Sequence, residues 1–148
     1  MSAIKAAMKA VIVPIVVTIG RMFGTAFQLV DDIQNFNSSP GWTKDCGEDI
    51  VAGKLTYVIL KELEMSMEKE RGRLGEILCR KELREDPVYH CEAVGLIRSS
   101  GALEECRAMA RNMIDIAWSD FSEAVPPSEP KIFMRLLCHK LLNVMCET

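Results

Sequence analysis

Residues 24–35 of this sequence carry four polar side chains at helical spacing. Gln28, Asp31, Asp32 and Asn35 stand at positions i, i+3, i+4 and i+7, so a helix places all four on one face. The two adjacent carboxylates repel each other unless a cation neutralises them. Oxygen donors without His or Cys favour Mg²⁺ over zinc, and Mg²⁺ completes its octahedron with water and phosphate. The spacing is typical of a magnesium site, although a solvated acidic pair that ends a helix has the same pattern.

Two lysines follow this segment on the far side of a loop. Residues 37–47 are rich in turn formers, and the stretch that begins near their end reads K-D-C-G-E-D-I-V-A-G-K-L-T, with Lys44 at its start and Lys54 near its end. Each ammonium group is a compact charge with three donors, which suits phosphate. Alternating carboxylates, metal and lysines around a diphosphate would stabilise it as a leaving group.

The two motifs together resemble a known family. G-x-x-F-Q-x-x-D-D-x-x-N followed by K-x-x-G-E-D-x-x-x-G-K-x-T is similar to the second aspartate-rich motif and downstream lysines of the trans-isoprenyl diphosphate synthases. The resemblance implies that Asp31 and Asp32 bind catalytic Mg²⁺, with Asp31 the more direct ligand. Asn35 stands where many members have a third aspartate, which removes a charge and keeps an oxygen ligand.

The same resemblance assigns substrate contacts. It implies that Gln28 lines the pocket of the allylic substrate and that Lys44, also a catalytic residue, contacts the allylic diphosphate. Lys54 would lie at the mouth of that pocket, and Asp49 would support the lysines by pairing with them. The implied fold is all-α, the C-terminal half of an isoprenoid-synthase-type helical bundle.

The resemblance also implies a missing part. The family fold is about twice as long, and its first aspartate-rich motif has no counterpart in these 148 residues. We therefore expect this chain alone to be nearly inactive as a prenyltransferase, since losing a metal cluster costs several kcal/mol of transition-state stabilisation. A polypeptide that supplies the missing N-terminal half would complete it, and the apolar surface left by that half would otherwise demand self-association or repacking. The alternatives are a non-catalytic regulatory or interaction subunit of a prenyl diphosphate synthase, and a fragment of a longer chain.

Composition bounds the remaining possibilities. A chain of 148 residues with 49% apolar residues predicts one helical domain, residues 1–148. A net charge of −3 without a basic stretch argues against a nucleic-acid partner. The six cysteines are scattered without a CxxC pair, which indicates free thiols in a reducing compartment, the cytoplasm.

Helical periodicity covers nearly all of the chain. We expect residues 3–36 to form either one long helix or a helix kinked or broken near Pro14 or Gly20, and we expect further helices at about 48–66, 69–83, 87–99, 102–124 and 129–146. The apolar run from Ala10 to Ile19 superficially resembles a signal peptide, but Pro14 interrupts it and Arg21 follows it. The run is also half the length of a membrane span, so a buried helix is the better interpretation.

Overall fold

The computed structural model describes residues 2–37 and 46–144, with the side chains of residues 10, 13–37, 46–141 and 143. All regular elements in these ranges are helices, which confirms the all-α prediction. In chain order they are α1 (Ser2–Gln34), α2 (Glu48–Val51), α3 (Tyr57–Met65), α4 (Glu68–Cys79), α5 (Lys81–Glu85), α6 (Pro87–Ser99), α7 (Ala102–Ala124) and α8 (Glu129–Val144).

The long first helix runs through Pro14 and Gly20 without a break, so of the two alternatives the single long helix is confirmed. Proline removes one backbone donor and clashes with the carbonyl four residues earlier, which usually kinks or ends a helix. Pro14 and Ala10 are both exposed, so water can hydrate the carbonyl that loses its partner. The result is one helix of 33 residues that reaches from the N-terminal segment to the acidic pair.

The core forms where α1 lies along α7. Each of these helices buries one apolar face with i, i+3, i+4 spacing, and α3, α4, α6 and α8 complete the cluster around them. The buried residues of α1 are Ile19, Phe23, Ala26, Leu29, Val30 and Ile33, and those of α7 are Ala102, Leu103, Cys106, Ala110, Ile114 and Ala117. This packing fixes the end of α1 that carries the acidic pair.

Two of the expected helices are each divided. The expected helix 48–66 is α2 and α3, separated by a turn in which Gly53 adopts a φ of 69°, and the expected helix 69–83 is α4 and α5, separated at Arg80. The left-handed conformation of Gly53 cannot continue a right-handed helix, and glycine adopts this conformation at little cost in energy because it has no Cβ atom. The turn matters because it separates Asp49 from Lys54.

Gly53→Ala is expected to destabilise the protein by about 1–3 kcal/mol, since alanine is strained at positive φ. A Cβ atom there would also lie 3.0 Å from Nη2 of Arg84. Gly72→Ala on α4 is the matched control: its Cβ meets nothing within 4 Å, so about 0.5–1 kcal/mol of stabilisation is expected. Urea unfolding followed by circular dichroism measures both, and equal effects of the two substitutions would contradict the strained turn.

One stretch in the described part of the chain, Val13–Gln34, is long and apolar enough to cross a membrane by length and composition alone. Core helices of water-soluble proteins pass the same test. This stretch packs along α7 and ends in the residues Asp31 and Asp32, and 28% of its most apolar window is buried within the chain. The expectation of a buried helix at residues 10–19 is wrong for most of its described side chains, because only Ile19 is fully buried there and Val13, Val16 and Val17 are exposed.

Candidate functional site

The last two turns of α1 hold the acidic pair in two different environments. The side chain of Asp31 is partly exposed, and within the described residues no hydrogen bond or ion pair reaches its carboxylate. Asp32 is only 6% exposed and faces the interior. The two neighbouring carboxylates are therefore not equivalent, because only Asp31 presents its oxygens outward.

Both oxygens of Asp32 accept hydrogen bonds within the chain. Gln28 Nε2 donates to Oδ1 at 2.9 Å, and the backbone N–H of Tyr57 donates to Oδ2 at 3.1 Å. Tyr57 is the first residue of α3, where backbone donors lack helical partners and the helix dipole favours a negative charge. Asp32 thus attaches the N-terminus of α3 to α1, while Thr56 Oγ1 caps the same helix by accepting from Ile59 N at 3.4 Å.

Asn35 links the end of α1 to the start of α2. It is 5% exposed, and its Oδ1 accepts from the backbone N–H of Asp49 at 3.3 Å. Its own carbonyl accepts from Gly47 N at 2.8 Å. Because α2 begins at Glu48, these two bonds place Asp49 directly beside the acidic end of α1.

Lys54 and Asp49 form an ion pair next to this end. Lys54 Nζ lies 2.6 Å from Asp49 Oδ1, and the side chains are 66% and 13% exposed. The hydrogen bond from Lys54 to Asp49 raises the pKa of the lysine, and the negative charges of Glu48 and Asp31 raise it further. Lys54 therefore stays charged across the physiological range, and its ammonium group lies in the electrostatic field of Asp31.

The donor set determines what cation fits here. Within the part of the chain that the structure describes, no group of three or more His, Cys, Asp or Glu side chains could enclose a metal ion. Of the three aspartates at this site, Asp32 and Asp49 have hydrogen-bond or ion-pair partners, and only the carboxylate of Asp31 has none among the described residues. Mg²⁺ commonly takes one or two carboxylates and fills its other positions with water and substrate phosphate, so Asp31 suits a magnesium ion delivered with a diphosphate.

The remaining candidate groups are Lys44 and the thiols. Lys44 lies outside the described residues, so its place relative to Asp31 stays a prediction. Among the thiols, Cys106 on α7 is fully buried, and burial raises its pKa to about 11, so it is not a thiolate at neutral pH. No local sequence pattern indicates that the backbone N–H of Tyr57 donates to Asp32 or that Arg98 contacts Phe36, because both contacts join residues far apart in the chain.

Solved structures share this architecture. Geranylgeranyl pyrophosphate synthetase from Pyrococcus horikoshii Ot3 superimposes with a TM-score of 0.72 and 25% identity, over 84% of this chain and 37% of that protein. A polyprenyl synthase from Roseobacter denitrificans gives a TM-score of 0.74 at 22% identity, over 88% of this chain and 41% of its own. The fold is therefore that of the isoprenyl diphosphate synthases.

Curated relatives agree. A short chain isoprenyl diphosphate synthase from Methanothermobacter thermautotrophicus is 34% identical over 66% of this chain and 29% of its own length. A prenyl transferase from Cyanophora paradoxa is 30% identical over 84% of this chain and 36% of its own. The chain thus spans about a third of these relatives. Residues 1–94, which include the acidic pair and Lys54, match the family described as polyprenyl synthetase. The chain is a member of the polyprenyl synthetase family.

Proposed function

We propose that this chain binds the diphosphate group of an allylic prenyl diphosphate with Mg²⁺, as the part of a prenyl diphosphate synthase that carries the second acidic motif. The observation that carries the proposal is one face of α1. Val13, Val16, Val17 and Phe27 are exposed on that face, which ends at Asp31. An apolar stripe that leads to a carboxylate matches a ligand with a hydrocarbon tail and a charged head.

Each residue then has a role that its environment supports. Asp31 would hold Mg²⁺, which neutralises the diphosphate as its bond to the allylic carbon breaks. Lys54 is charged and exposed beside Asp31, so it would contact the same diphosphate, and Asp49 orients it through their ion pair. Lys44 would add a second ammonium group. Gln28 holds Asp32 and lies on the exposed face, where it would contact the allylic end of the substrate.

Asp32 and Asn35 contribute in a different way. Their oxygens accept hydrogen bonds from the first residues of α3 and α2, so in this proposal they position the site more than they ligate the metal. The sequence motif assigns them both to the metal. Their burial favours the structural role, since a buried oxygen that already accepts a backbone N–H has less room for a hydrated cation.

Chain elongation would need the first acidic motif from another polypeptide. In the complete enzyme the C–O bond to the diphosphate breaks, the double bond of isopentenyl diphosphate attacks the allylic carbocation, and loss of a proton gives a diphosphate longer by five carbons. This chain would supply one side of the diphosphate site. We expect this chain to be nearly inactive as a prenyltransferase on its own. The free cysteines support a location in a reducing compartment, the cytoplasm.

Calorimetry with a non-hydrolysable allylic diphosphate analogue tests the proposal. Binding is expected with MgCl₂ and is expected to disappear with EDTA. A polypeptide that carries the first acidic motif is then mixed with the chain, and product length is followed from labelled isopentenyl diphosphate. Analogue binding that does not depend on Mg²⁺, or rapid elongation by this chain alone, would contradict the proposal.

A second candidate is a non-catalytic subunit that pairs with a complete synthase. The observation in its favour is α8, which exposes Ile132, Phe133, Leu136 and Leu137 at 47–70% of their surfaces. Contiguous exposed apolar residues mark interaction surfaces in soluble proteins. The same calorimetry separates the two functions, because an interaction subunit has no need to bind an allylic diphosphate with Mg²⁺.

A further inference from the structure

One arginine of α6 contacts the chain on both sides of the junction between α1 and α2. Arg98 donates to the carbonyl of Phe36 from Nε at 3.0 Å and from Nη2 at 2.7 Å. The same Nη2 lies 3.3 Å from Sγ of Cys46. Phe36 follows α1 and Cys46 precedes α2, so a single guanidinium group bridges the two ends.

Gly47, at the α2 end of this junction, packs directly against α6. Gly47, with a φ of 78°, donates its N–H to Asn35 O at 2.8 Å, and its carbonyl lies 3.2 Å from Nε2 of His90. A Cβ atom on Gly47 would be 2.6 Å from His90 Nε2 and 2.7 Å from Val94 Cγ2. The backbone therefore approaches α6 as closely as a glycine permits, and Arg98 secures it from the same helix.

We propose that Arg98 is a positioning residue for diphosphate binding, which rests on the function proposed above. It fixes α2, whose Asp49 holds Lys54, relative to Asp31 at the end of α1. The two donors on one planar guanidinium group set a direction as well as a distance, which a lysine cannot do. Arg98 acts through Lys54 and has no contact with the ligand.

The first test is a double-mutant cycle on the full chain. Calorimetry with inorganic pyrophosphate and MgCl₂ is expected to show about tenfold weaker binding for Arg98→Gln. Arg98→Lys is expected to bind about threefold more weakly, because it keeps the positive charge but lacks the paired donors of the guanidinium group. In a Lys54→Gln background, Arg98→Gln is expected to cause no further loss. Arg73→Gln is the matched control, because Arg73 ties α4 to α6 through Glu92 without touching the junction.

The second test needs no ligand. The amides of Gly47 and Asp49 donate to Asn35, so Arg98→Gln is expected to accelerate their hydrogen exchange about tenfold while exchange in α7 is unchanged. Unchanged exchange at both amides, or losses of affinity that add fully with Lys54→Gln, would overturn the proposal. If Arg98→Gln does not fold, Arg98→Lys carries both tests.

The two proposals fail in different ways. Absence of Mg²⁺-dependent pyrophosphate binding in the wild-type chain would overturn the proposed function, and the positioning role of Arg98 with it. If the Gly47 and Asp49 amides of Arg98→Gln nevertheless exchange faster, Arg98 does hold α2 in place, and what fails is the binding of pyrophosphate. Normal wild-type binding with no effect of Arg98→Gln would overturn the positioning role alone.

Discussion

Replacement of Asp31 by Asn is expected to weaken Mg²⁺-dependent binding of inorganic pyrophosphate about a hundredfold and to leave the stability of the fold unchanged. Substitution of residues that merely support a metal ligand costs about 10–100-fold in metal affinity, and loss of a ligand is expected to reach the upper end of that range. Stability is spared because Asp31 is partly exposed and its carboxylate accepts no hydrogen bond from any described residue. Calorimetry measures the affinity, and urea unfolding measures the stability.

Asp115→Asn is the control for this experiment. Asp115 is an exposed aspartate on α7, so its substitution makes the same change in net charge outside the motif of residues 28–35. Its pyrophosphate affinity is expected to equal that of the wild-type chain. A loss of affinity shared by the two variants would show that Asp31 acts only through overall charge, and normal binding by Asp31→Asn would remove Asp31 from the site.

The second large effect concerns the neighbouring residue. Asp32→Ala is expected to lower the free energy of unfolding by about 2–4 kcal/mol, because the Tyr57 amide and the Gln28 amide group both lose their acceptor. The urea midpoint is expected to fall with an unchanged slope. Asp32→Asn keeps one carbonyl oxygen but turns the other acceptor into a donor, so we expect it to lie between wild type and alanine.

Gln28→Ala is the comparison for Asp32→Ala. It removes one of the two hydrogen bonds to Asp32 from an exposed position, so a change within about 0.5 kcal/mol is expected. A stable Asp32→Ala variant that has lost Mg²⁺-dependent binding would reverse the proposal, since it would make Asp32 a metal ligand. Loss of stability together with retained binding would confirm that Asp32 holds α3 in place.

Local sequence signals predicted the bounds of the helices that begin or end at a clear capping residue. The expected helices 87–99 and 102–124 are α6 and α7. In the structure Gly101 between them has a φ of 86°, and Asp86 caps α6 just before Pro87. The same signals missed the divisions at Gly53 and Arg80. Apolar spacing continues across both points, and periodicity records which face is buried without recording whether the backbone turns.

The sequence also identified the family, since residues 1–94 match polyprenyl synthetase. Side-chain type and spacing are enough for this, because family membership is shown by residue types in a fixed order along the chain. Type and spacing alone do not show which aspartate of the motif is exposed and which is buried. Asp31 and Asp32 are chemically identical, and only packing makes one partly exposed and the other 6% exposed.

The amino-acid sequence thus determined an all-helical chain and the set of side chains that we propose for a diphosphate site, because helix periodicity and side-chain chemistry are local properties. The tertiary structure decided which of those side chains are exposed and which are bonded to other helices. Tyr57 lies 25 residues after Asp32, and Arg98 lies 62 residues after Phe36. Contacts across such separations form only when α1, α3 and α6 pack together, so no local pattern could reveal them.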